Sequence, residues 1–513
     1  GPSKVIAEGL TWYNQDLTVR ANMIESWEIN EDASVWTVRL RPGTKWSDGA
    51  PLTTANMMWY HEHQVMNGEL TLSPANQWST GSPKVAASPE AVDDFTAVVT
   101  FADPKPLWAF DMTRFAPITP NHYVEQFHID FADKDALVAA ATAAGLETWM
   151  DWFNDRNNWS NNIERPNVGP WIPTNTLDNE LFVMERNPYF WQVDSDGQQL
   201  PYIDRVQHRL YESPDVFNLW IVSGEIDFQA RDVSIANYTL FKESEEAGGY
   251  RVFLGASASH RCMQCNLTTK NPRLREFFNK REVRQAFMYA VDRDEMNELV
   301  FDGLAKPRQY SPLEQSPQYY ETLSTSHILY DPDLANQLLD EAGYAERGAD
   351  GYRVWPDGSG EPISFMIEGT DASGTPGEDA VNMLGTYHDA IGIKTTYRYF
   401  ERSLYTEHFE ANEIEAAFWG GDRTVLPIVA PFIFVGTMAD RPWACGWSLY
   451  RNSNGTNPNG EAPPDGHWMW GIWDNWDKML VEPDDAARDQ YFRNIMDIWV
   501  EEIPMIGYLG QFP

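Results

Sequence analysis

The length of this chain constrains its fold more than any other feature of the sequence. A single hydrophobic core stops growing at roughly 250–300 residues, so longer chains divide into separate lobes. The sequence has 513 residues, and we therefore expect two or more lobes. No run approaches the ~18 consecutive apolar side chains that a membrane-spanning helix needs. The opening Gly1-Pro2-Ser3 also lacks the charged and apolar regions of a signal peptide, so export has to be inferred from other features.

The charge of the sequence is strongly unbalanced. The 76 acidic and 38 basic side chains leave a formal net charge of −38 at pH 7. A field of this sign repels nucleic acids and anionic membranes, and it is easier to reconcile with a neutral or cationic ligand. Adaptation of the surface to salt, or simple solubility, explains the same excess of acids. The composition therefore excludes nucleic-acid partners better than it identifies a ligand.

The apolar pattern predicts alternating strands and helices. Residues 35–40 alternate as a half-buried strand does, and residues 281–292 carry apolar side chains at helical spacing. Asp331 is the predicted N-cap of a later helix, which Gly343 is expected to end. Because strands and helices alternate from about residue 266 onward, this part of the chain is expected to form an α/β lobe.

The three cysteines are expected to be inert thiols. Cys262 and Cys265 form a C-x-x-C, and Cys445 stands alone. The pair lies in a segment that is predicted to be extended, whereas a thioredoxin-like pair opens a helix. Positions i and i+3 of a strand are ~10 Å apart, which is beyond disulfide reach. Two thiols without further ligands nearby also make a poor zinc site.

Local catalytic and metal motifs are absent from the sequence. No G-x-S-x-G elbow, Walker A loop or G-x-G-x-x-G fingerprint occurs. His61-Glu62-His63 places two imidazoles at i and i+2, positions that do not share a helix face. Asp194-Ser195-Asp196-Gly197 lacks the later ligands of a calcium loop and predicts a hairpin turn. With 76 acids some pair of carboxylates must meet in space, so the sequence leaves a glycosidase open as an alternative, although no local motif supports one. Neither catalysis, a metal nor a cofactor is expected.

Aromatic residues are unusually abundant, with 22 Trp, 22 Tyr and 25 Phe. The tryptophans concentrate at residues 149–171 and 443–476. Most are expected to pack in the core. A few are candidates for flat platforms in a cleft, because the C–H faces of sugar rings stack on such surfaces.

A series of short motifs follows the chain in order. The longest runs from Leu40 to Leu52 as L-R-P-G-T-K-W-S-D-G-A-P-L, and Ile24-Glu25-Ser26-Trp27 precedes it. The later segments are Gly169-Pro170-Trp171, Glu185 to Trp191, Ser223 to Asp227, Arg281 to Arg293 and Asp331 to Tyr344. Together they resemble the family 5 extracellular solute-binding proteins, which are the peptide, nickel and oligosaccharide receptors of bacterial ABC importers. The family pattern has Ala where this chain has Ile24.

The resemblance implies an α/β, two-lobed periplasmic-binding-protein fold with a hinge. Lobe I is expected at residues 1–260 and 485–513, with an extra subdomain near 46–165, and lobe II at 261–484. The same resemblance implies a monomeric receptor, not an enzyme, in the periplasm or outside the cell, free or lipid-anchored. It would deliver its solute to permease and ATPase subunits. Ligand is expected to bind between the lobes and to stabilise the closed form.

The ligand class is less constrained. Trp419-Gly420-Gly421-Asp422 matches a W-x-x-D segment whose acid, in peptide-binding relatives, pairs with the amino terminus of the peptide. Asp422 is therefore a candidate for an ammonium group or a sugar hydroxyl, and a structural capping role stands beside these. The excess of tryptophan favours a neutral oligosaccharide, with an oligopeptide as the alternative; nickel is disfavoured because no histidines converge near the predicted cleft. The predicted ligand-binding residues are Trp12, Asn14, Asp371, Phe418, Trp419, Asp422, Trp443 and Trp447.

Overall fold

The chain divides into two compact units. The computed structural model describes residues 6–81, 83–255, 257–438 and 441–512. Unit 1 comprises Gly1–Trp220 with Leu480–Asp484, and unit 2 comprises Ile221–Met479 with Asp485–Pro513. None of the helices in the described part of the chain combines the length and hydropathy of a membrane span.

Antiparallel strands dominate unit 1. In chain order they are β1 (Thr11–Tyr13), β2 (Val19–Ala21), β3 (Ile24–Ile29), β4 (Val35–Leu40), β5 (Ser79–Thr80), β6 (Val85–Ala86), β7 (Ser88–Ala91), β8 (Thr96–Thr100), β9 (Trp171–Pro173), β10 (Leu181–Arg186) and β11 (Arg205–Arg209). They form a sheet of order β3-β4-β8-β7, a sheet of order β11-β10-β9 and two ladders, β1-β2 and β5-β6. The alternation predicted for residues 35–40 is confirmed, because Trp36, Val38 and Leu40 of β4 are buried.

The helices of unit 1 are short. They are Thr54–Trp59, Trp108–Asp111, Asn121–Val124, Lys134–Ala143 and Trp149–Arg156, with 3₁₀ turns at Asn76–Trp78 and Glu125–Phe127 and a wide π-turn at Tyr60–Val65. The helix Pro214–Val222 crosses the boundary between the units. The predicted hairpin after Val193 is confirmed: Val193 pairs with Gln199, and Asp194 Oδ1 accepts from the backbone N–H of Asp196 at 2.9 Å.

Unit 2 is built around a six-stranded mixed sheet. Its strands are β12 (His260–Cys265), β13 (Lys306–Pro307), β14 (Ser364–Gly369), β15 (Lys394–Tyr399), β16 (Ala416–Gly421) and β17 (Ile506–Gly510). The order across the sheet is β13-β17-β12-β16-β14-β15. β14 runs parallel to both β15 and β16, and the remaining neighbours are antiparallel. The α/β character predicted for this part of the chain is confirmed.

The helices of unit 2 begin and end where the sequence predicts in several cases. Asp331 caps one helix by accepting from the Leu334 backbone N–H at 2.8 Å, and Gly343 follows that helix with a φ of 97°. The helices are Tyr238–Glu243, Glu245–Gly248, Pro272–Asn279, Arg281–Tyr289, Arg293–Phe301, Glu321–Ser324, Pro332–Glu341, Pro376–Ala390, Arg402–Glu410, Cys445–Asn452 and Asp485–Glu502, with 3₁₀ turns at Ile235–Asn237, Pro431–Ile433 and Pro442–Ala444. The helix Trp468–Val481 begins in unit 2 and crosses into unit 1 at Leu480.

The C-terminal segment belongs to unit 2, which differs from its predicted assignment to lobe I. β17 is hydrogen-bonded between β13 and β12, with Ile506 opposite Met263. The buried Arg293 guanidinium also donates to the Gly507 carbonyl, from Nη2 at 3.0 Å. These contacts make residues 485–513 part of the central sheet and its covering helix.

The first boundary between the units also differs from the predicted one. It falls at Trp220 rather than at residue 260, and Leu480–Asp484 groups with unit 1. The extra subdomain expected near residues 46–165 and the hinge stay predictions.

Gly507 of β17 lies so close to Gln309 and Tyr310 that a larger side chain at this position should destabilise unit 2. A Cβ added at Gly507 would lie 2.4 Å from both Gln309 Oε1 and the Tyr310 backbone nitrogen. We expect Gly507→Ala to lower the stability of unit 2 by about 1–3 kcal/mol, measured by chemical denaturation, because neither neighbour can move without breaking a hydrogen bond.

Gly385→Ala is the matched control. Gly385 lies inside the helix Pro376–Ala390 with nothing within 4 Å of an added Cβ. This substitution should stabilise the protein by about 0.5–1 kcal/mol, because alanine restricts the unfolded chain more than glycine does. Equal effects of the two substitutions would contradict the packing described for β17.

Candidate functional site

Polar side chains follow the ends of two parallel strands in unit 2. β14 and β16 run in the same direction, with Ile367 opposite Ala416, so both end at the same edge of the sheet. Asp371 comes shortly after β14, and Asp422 comes directly after β16. In open α/β sheets, ligands bind beyond the carboxyl ends of the strands. This edge is therefore the candidate site of unit 2.

The aromatic residues of β16 point to opposite faces of the sheet. Phe418 is fully buried in the main core, whereas Trp419 packs on the other face and remains partly exposed. The Trp419 ring stacks on Tyr405, with 4.8 Å between centroids and 29° between planes. The guanidinium carbons of Arg402 and Arg441 lie 5.4 and 5.3 Å from the Trp419 ring centroid. One aromatic ring and two cations thus hold Trp419 in place.

The carboxylate of Asp422 lies near the guanidinium groups of Arg423 and Arg441. Oδ1 lies 3.6 Å from Arg423 Nε, and Oδ2 lies 3.6 Å from Arg441 Nη2. These separations exceed hydrogen-bond length, and Oδ1 has no hydrogen-bond partner among the residues that the structure describes. The Asp422 backbone carbonyl accepts from the buried Tyr310 hydroxyl at 2.6 Å, which fixes the loop. The carboxylate is held near two positive charges and retains capacity to accept hydrogen bonds.

Asp371 forms a second acid–guanidinium pair at the same sheet edge. Arg261 of β12 donates from Nη1 to Asp371 Oδ1 at 3.2 Å. Tyr397 of β15 donates from its hydroxyl to the Asp371 backbone carbonyl at 2.8 Å. Arg261 stands opposite Gly420 of β16, so this pair follows from the register of β12 against β16.

Trp443 and Trp447 lie in the core of unit 2 rather than at its surface. Trp443 is fully buried and donates from Nε1 to the Ile433 carbonyl at 3.3 Å. Trp447 is 2% exposed, and its ring contacts His467 with 4.7 Å between centroids. Because neighbouring side chains occupy their faces, these two rings and that of Phe418 offer no platform to a solute. In this structure the three rings pack in the core, and their role as ligand contacts stays a prediction.

The two predicted residues of unit 1 lie on the β1–β2 hairpin. Trp12 stands opposite Arg20 and is 38% exposed. Asn14 closes the turn: its backbone N–H donates to the Thr18 carbonyl at 2.8 Å, and its Nδ2 donates to Thr18 Oγ1 at 2.9 Å. Asn14 is thus engaged within its own hairpin, whereas Trp12 keeps an exposed ring.

The basic and aromatic partners of the site are not evident from the sequence. Tyr405 and Arg402 lie on the helix Arg402–Glu410, Arg261 lies on β12, and Arg441 comes well after Asp422 in the chain. No local spacing connects them to the W-x-x-D segment.

Unit 1 contains a small cavity beside the Leu40–Leu52 motif. Its volume is about 190 Å³, and Trp46, Trp159 and Arg165 are among the lining residues. Arg165 donates to Asn167 Oδ1 at 3.1 Å, and burial lowers the pKa of its guanidinium to about 10. Binding pockets for drug-sized ligands measure roughly 300–1,000 Å³, so this cavity does not suit an oligomeric solute.

The cysteines are buried in unit 2. Cys262 and Cys265 lie on β12, as the extended segment predicted, and all three thiols are free. Burial raises the pKa of the Cys262 and Cys265 thiols to about 12, and it also raises the pKa of Cys445. Because the thiolate is the reactive form, the folded chain should be unreactive.

This burial predicts that the thiols report unfolding of unit 2. At pH 8, Ellman's reagent should label none of the three cysteines in the native protein and all three in guanidinium chloride, where the thiol pKa returns to about 8.5. The measurement is the absorbance of released thionitrobenzoate. Rapid labelling of the native chain would show that the inert-thiol prediction is wrong.

Comparison with known proteins identifies the family. The profile described as "Bacterial extracellular solute-binding proteins, family 5 Middle" matches residues 18–431. The periplasmic alpha-galactoside-binding protein of Rhizobium meliloti is 25% identical over 366 residues, which cover 69% of this chain and 50% of that protein. A probable ABC transporter-binding protein of Deinococcus radiodurans is 24% identical and covers 72% of this chain and 60% of that one. The chain spans about half the length of these curated relatives.

Solved structures agree with the fold. The chain is 32% identical to an oligopeptide-binding protein OppA, with a TM-score of 0.77, covering 100% of this chain and 82% of that one. It also matches MelB of Agrobacterium fabrum C58 in complex with stachyose, at 19% identity and a TM-score of 0.70, covering 100% and 75% of the two chains. These matches confirm the predicted α/β periplasmic-binding-protein fold, and the chain belongs to the bacterial extracellular solute-binding proteins of family 5.

Proposed function

We propose that this chain is the solute-binding subunit of an ABC importer and that its solute is a neutral oligosaccharide. The observation that carries the proposal is the site at the ends of β14 and β16. There, Asp422 faces two guanidinium groups at 3.6 Å beside the partly exposed Trp419. The proposal includes delivery to permease and ATPase subunits, location in the periplasm or outside the cell, and the absence of catalytic turnover.

The hydrogen-bonding character of this site suits hydroxyl groups. Carboxylates only accept and guanidinium groups only donate, whereas a sugar hydroxyl does both. Asp422 beside Arg441, and Asp371 beside Arg261, each offer an acceptor next to a donor. The 3.6 Å separations at Asp422 are too long for direct hydrogen bonds, so a hydroxyl can bond to both groups without displacing either.

The same charges disfavour an ammonium group at Asp422. Any cation bound there would approach Arg423 and Arg441, each of which already lies 3.6 Å from the carboxylate. Like charges at such distances repel by kilocalories per mole in a partly buried site. A neutral solute avoids this repulsion. It also agrees with the names of two relatives, the alpha-galactoside-binding protein and the stachyose complex of MelB.

An oligopeptide is the second candidate. It is supported by the W-x-x-D segment Trp419-Gly420-Gly421-Asp422 and by the 32% identity to a protein named for oligopeptide binding. In this alternative, Asp422 pairs with the amino terminus of the peptide, and the arginines serve to position the carboxylate.

Ligand panels and one substitution separate the two candidates. Oligosaccharides of the raffinose and stachyose type should raise the melting temperature of the wild-type protein, because a ligand that binds only the folded state stabilises it by mass action. Trp419→Ala should weaken sugar binding about tenfold or more by removing the ring surface, with Trp419→Phe intermediate. Isothermal titration calorimetry measures the affinities.

Asp422→Asn should weaken sugar binding by about tenfold, because the amide keeps one neutral acceptor, whereas an ammonium partner would lose a charged bond of about 1.5–3 kcal/mol. Asp474→Asn is the control, since Asp474 is exposed on a helix and pairs with Lys478. A melting shift with short peptides alone, abolished by Asp422→Asn, would replace the oligosaccharide proposal by the peptide one.

A further inference from the structure

Two histidines and an aspartate converge in unit 1, away from the site described above. One ligand atom from each of His63, His128 and Asp130 lies within 4.8 Å of the other two. Asp130 Oδ2 is 2.8 Å from His63 Nδ1 and 3.6 Å from His128 Nδ1. His61, the neighbour of His63 in the H-E-H segment, lies outside the cluster: its Nδ1 accepts from Trp78 Nε1 at 3.4 Å.

The π-turn at Tyr60–Val65 builds one side of this cluster. Its wide hydrogen bonding runs from the Met66 N–H to the His61 carbonyl at 3.0 Å, and His63 lies within the turn. That carbonyl lies 2.9 Å from His128 Nε2. Because a carbonyl only accepts hydrogen bonds, the imidazole proton of His128 resides on Nε2. Nδ1 of His128 therefore keeps its lone pair.

With the proton of His128 on Nε2, two hydrogen-bond acceptors face each other: His128 Nδ1 and a carboxylate oxygen of Asp130. His128 is fully buried, and its Nδ1 accepts from the Asp130 backbone N–H, so the ring carries one proton, on Nε2. Its Nδ1 lone pair and the Asp130 carboxylate oxygen lie 3.6 Å apart with no proton between them. The Asp130 backbone N–H donates to the same nitrogen, at the long distance of 3.2 Å. A cation held by all three side chains would replace this weak hydrogen bond and the 2.8 Å contact between Asp130 Oδ2 and His63 Nδ1.

We propose that His63, His128 and Asp130 bind a first-row divalent transition cation such as Zn²⁺. Two imidazoles and a carboxylate match the ligand preference of these ions better than that of Ca²⁺ or Mg²⁺. Bond lengths of about 2.0–2.1 Å in a tetrahedral site set ligand atoms about 3.3 Å apart, and the two measured separations from Oδ2 bracket this value. Water completes the coordination, and this site is independent of the proposed solute function.

The surroundings of the cluster support a bound ion. The hydrogen bond from His128 Nε2 to a backbone carbonyl is the outer contact that fixes the ring of a metal-binding histidine. Trp59 packs against both imidazoles, with centroids at 5.2 and 5.5 Å, and Phe131 lies 4.8 Å from His63. Such an apolar shell strengthens the attraction between the ion and Asp130. The net charge of −38 also draws cations towards the chain.

The test is a titration of the full chain with Zn²⁺ after treatment with a chelator. Calorimetry should show one tight site, and saturation should raise the melting temperature. Replacing Zn²⁺ with Co²⁺ should produce visible absorption bands of a site with low coordination number and nitrogen ligands. His63→Gln and Asp130→Asn should each weaken binding by about 10–100-fold or more and remove these bands.

His122→Gln is the matched control. His122 Nε2 lies 2.7 Å from Asp48 Oδ2, so this pair resembles the His63–Asp130 pair but has no second histidine among the described residues around it. Its substitution should leave the tight site unchanged. The proposal is overturned if Zn²⁺ does not bind, or if His63→Gln and Asp130→Asn bind Zn²⁺ as tightly as His122→Gln does, because the ion would then be held by the acidic surface alone.

Discussion

The pairing of β12 with β16 is the interaction on which the site of unit 2 depends. Its register, from His260 opposite Gly421 to Cys265 opposite Ala416, decides which side chains of β16 face the core. A slip by one residue would exchange the two faces of the strand, exposing Phe418 and burying Trp419. The same register places Arg261 at the edge where it meets Asp371.

Much of the fold could be predicted because its signals are local. The alternation in β4, the Asp331 cap and the positive φ of Gly343 each follow from a few neighbouring residues. The pairing of residues 485–513 with the sheet of unit 2 could not be predicted because the partner of β17 lies more than 200 residues earlier in the chain, and no local pattern records that pairing. Long-range pairing is a property of the whole fold.

The candidate site could be predicted only in part. Asp422, Asp371 and Trp419 lie together at one sheet edge, as their positions after or within predicted strands indicate, and their role in binding stays a prediction. The abundance of tryptophan could not distinguish an exposed ring from a buried one: Trp443 and Trp447 stand one helical turn apart, and both face the core. The abundance of tryptophan also could not show that two arginines lie near Asp422 and make its surroundings positive in an otherwise acidic chain.

The position of β17 between β13 and β12 has a consequence for biosynthesis. Most of unit 1 is made from one continuous stretch ending at Trp220, so it can fold while the chain is still growing. β12, by contrast, must wait for a neighbouring strand that begins at Ile506. At translation rates of about 5–20 residues per second, that delay is on the order of 10–50 s. Throughout this interval the nascent half-sheet presents an unpaired edge, which is when a holding chaperone would be of most use.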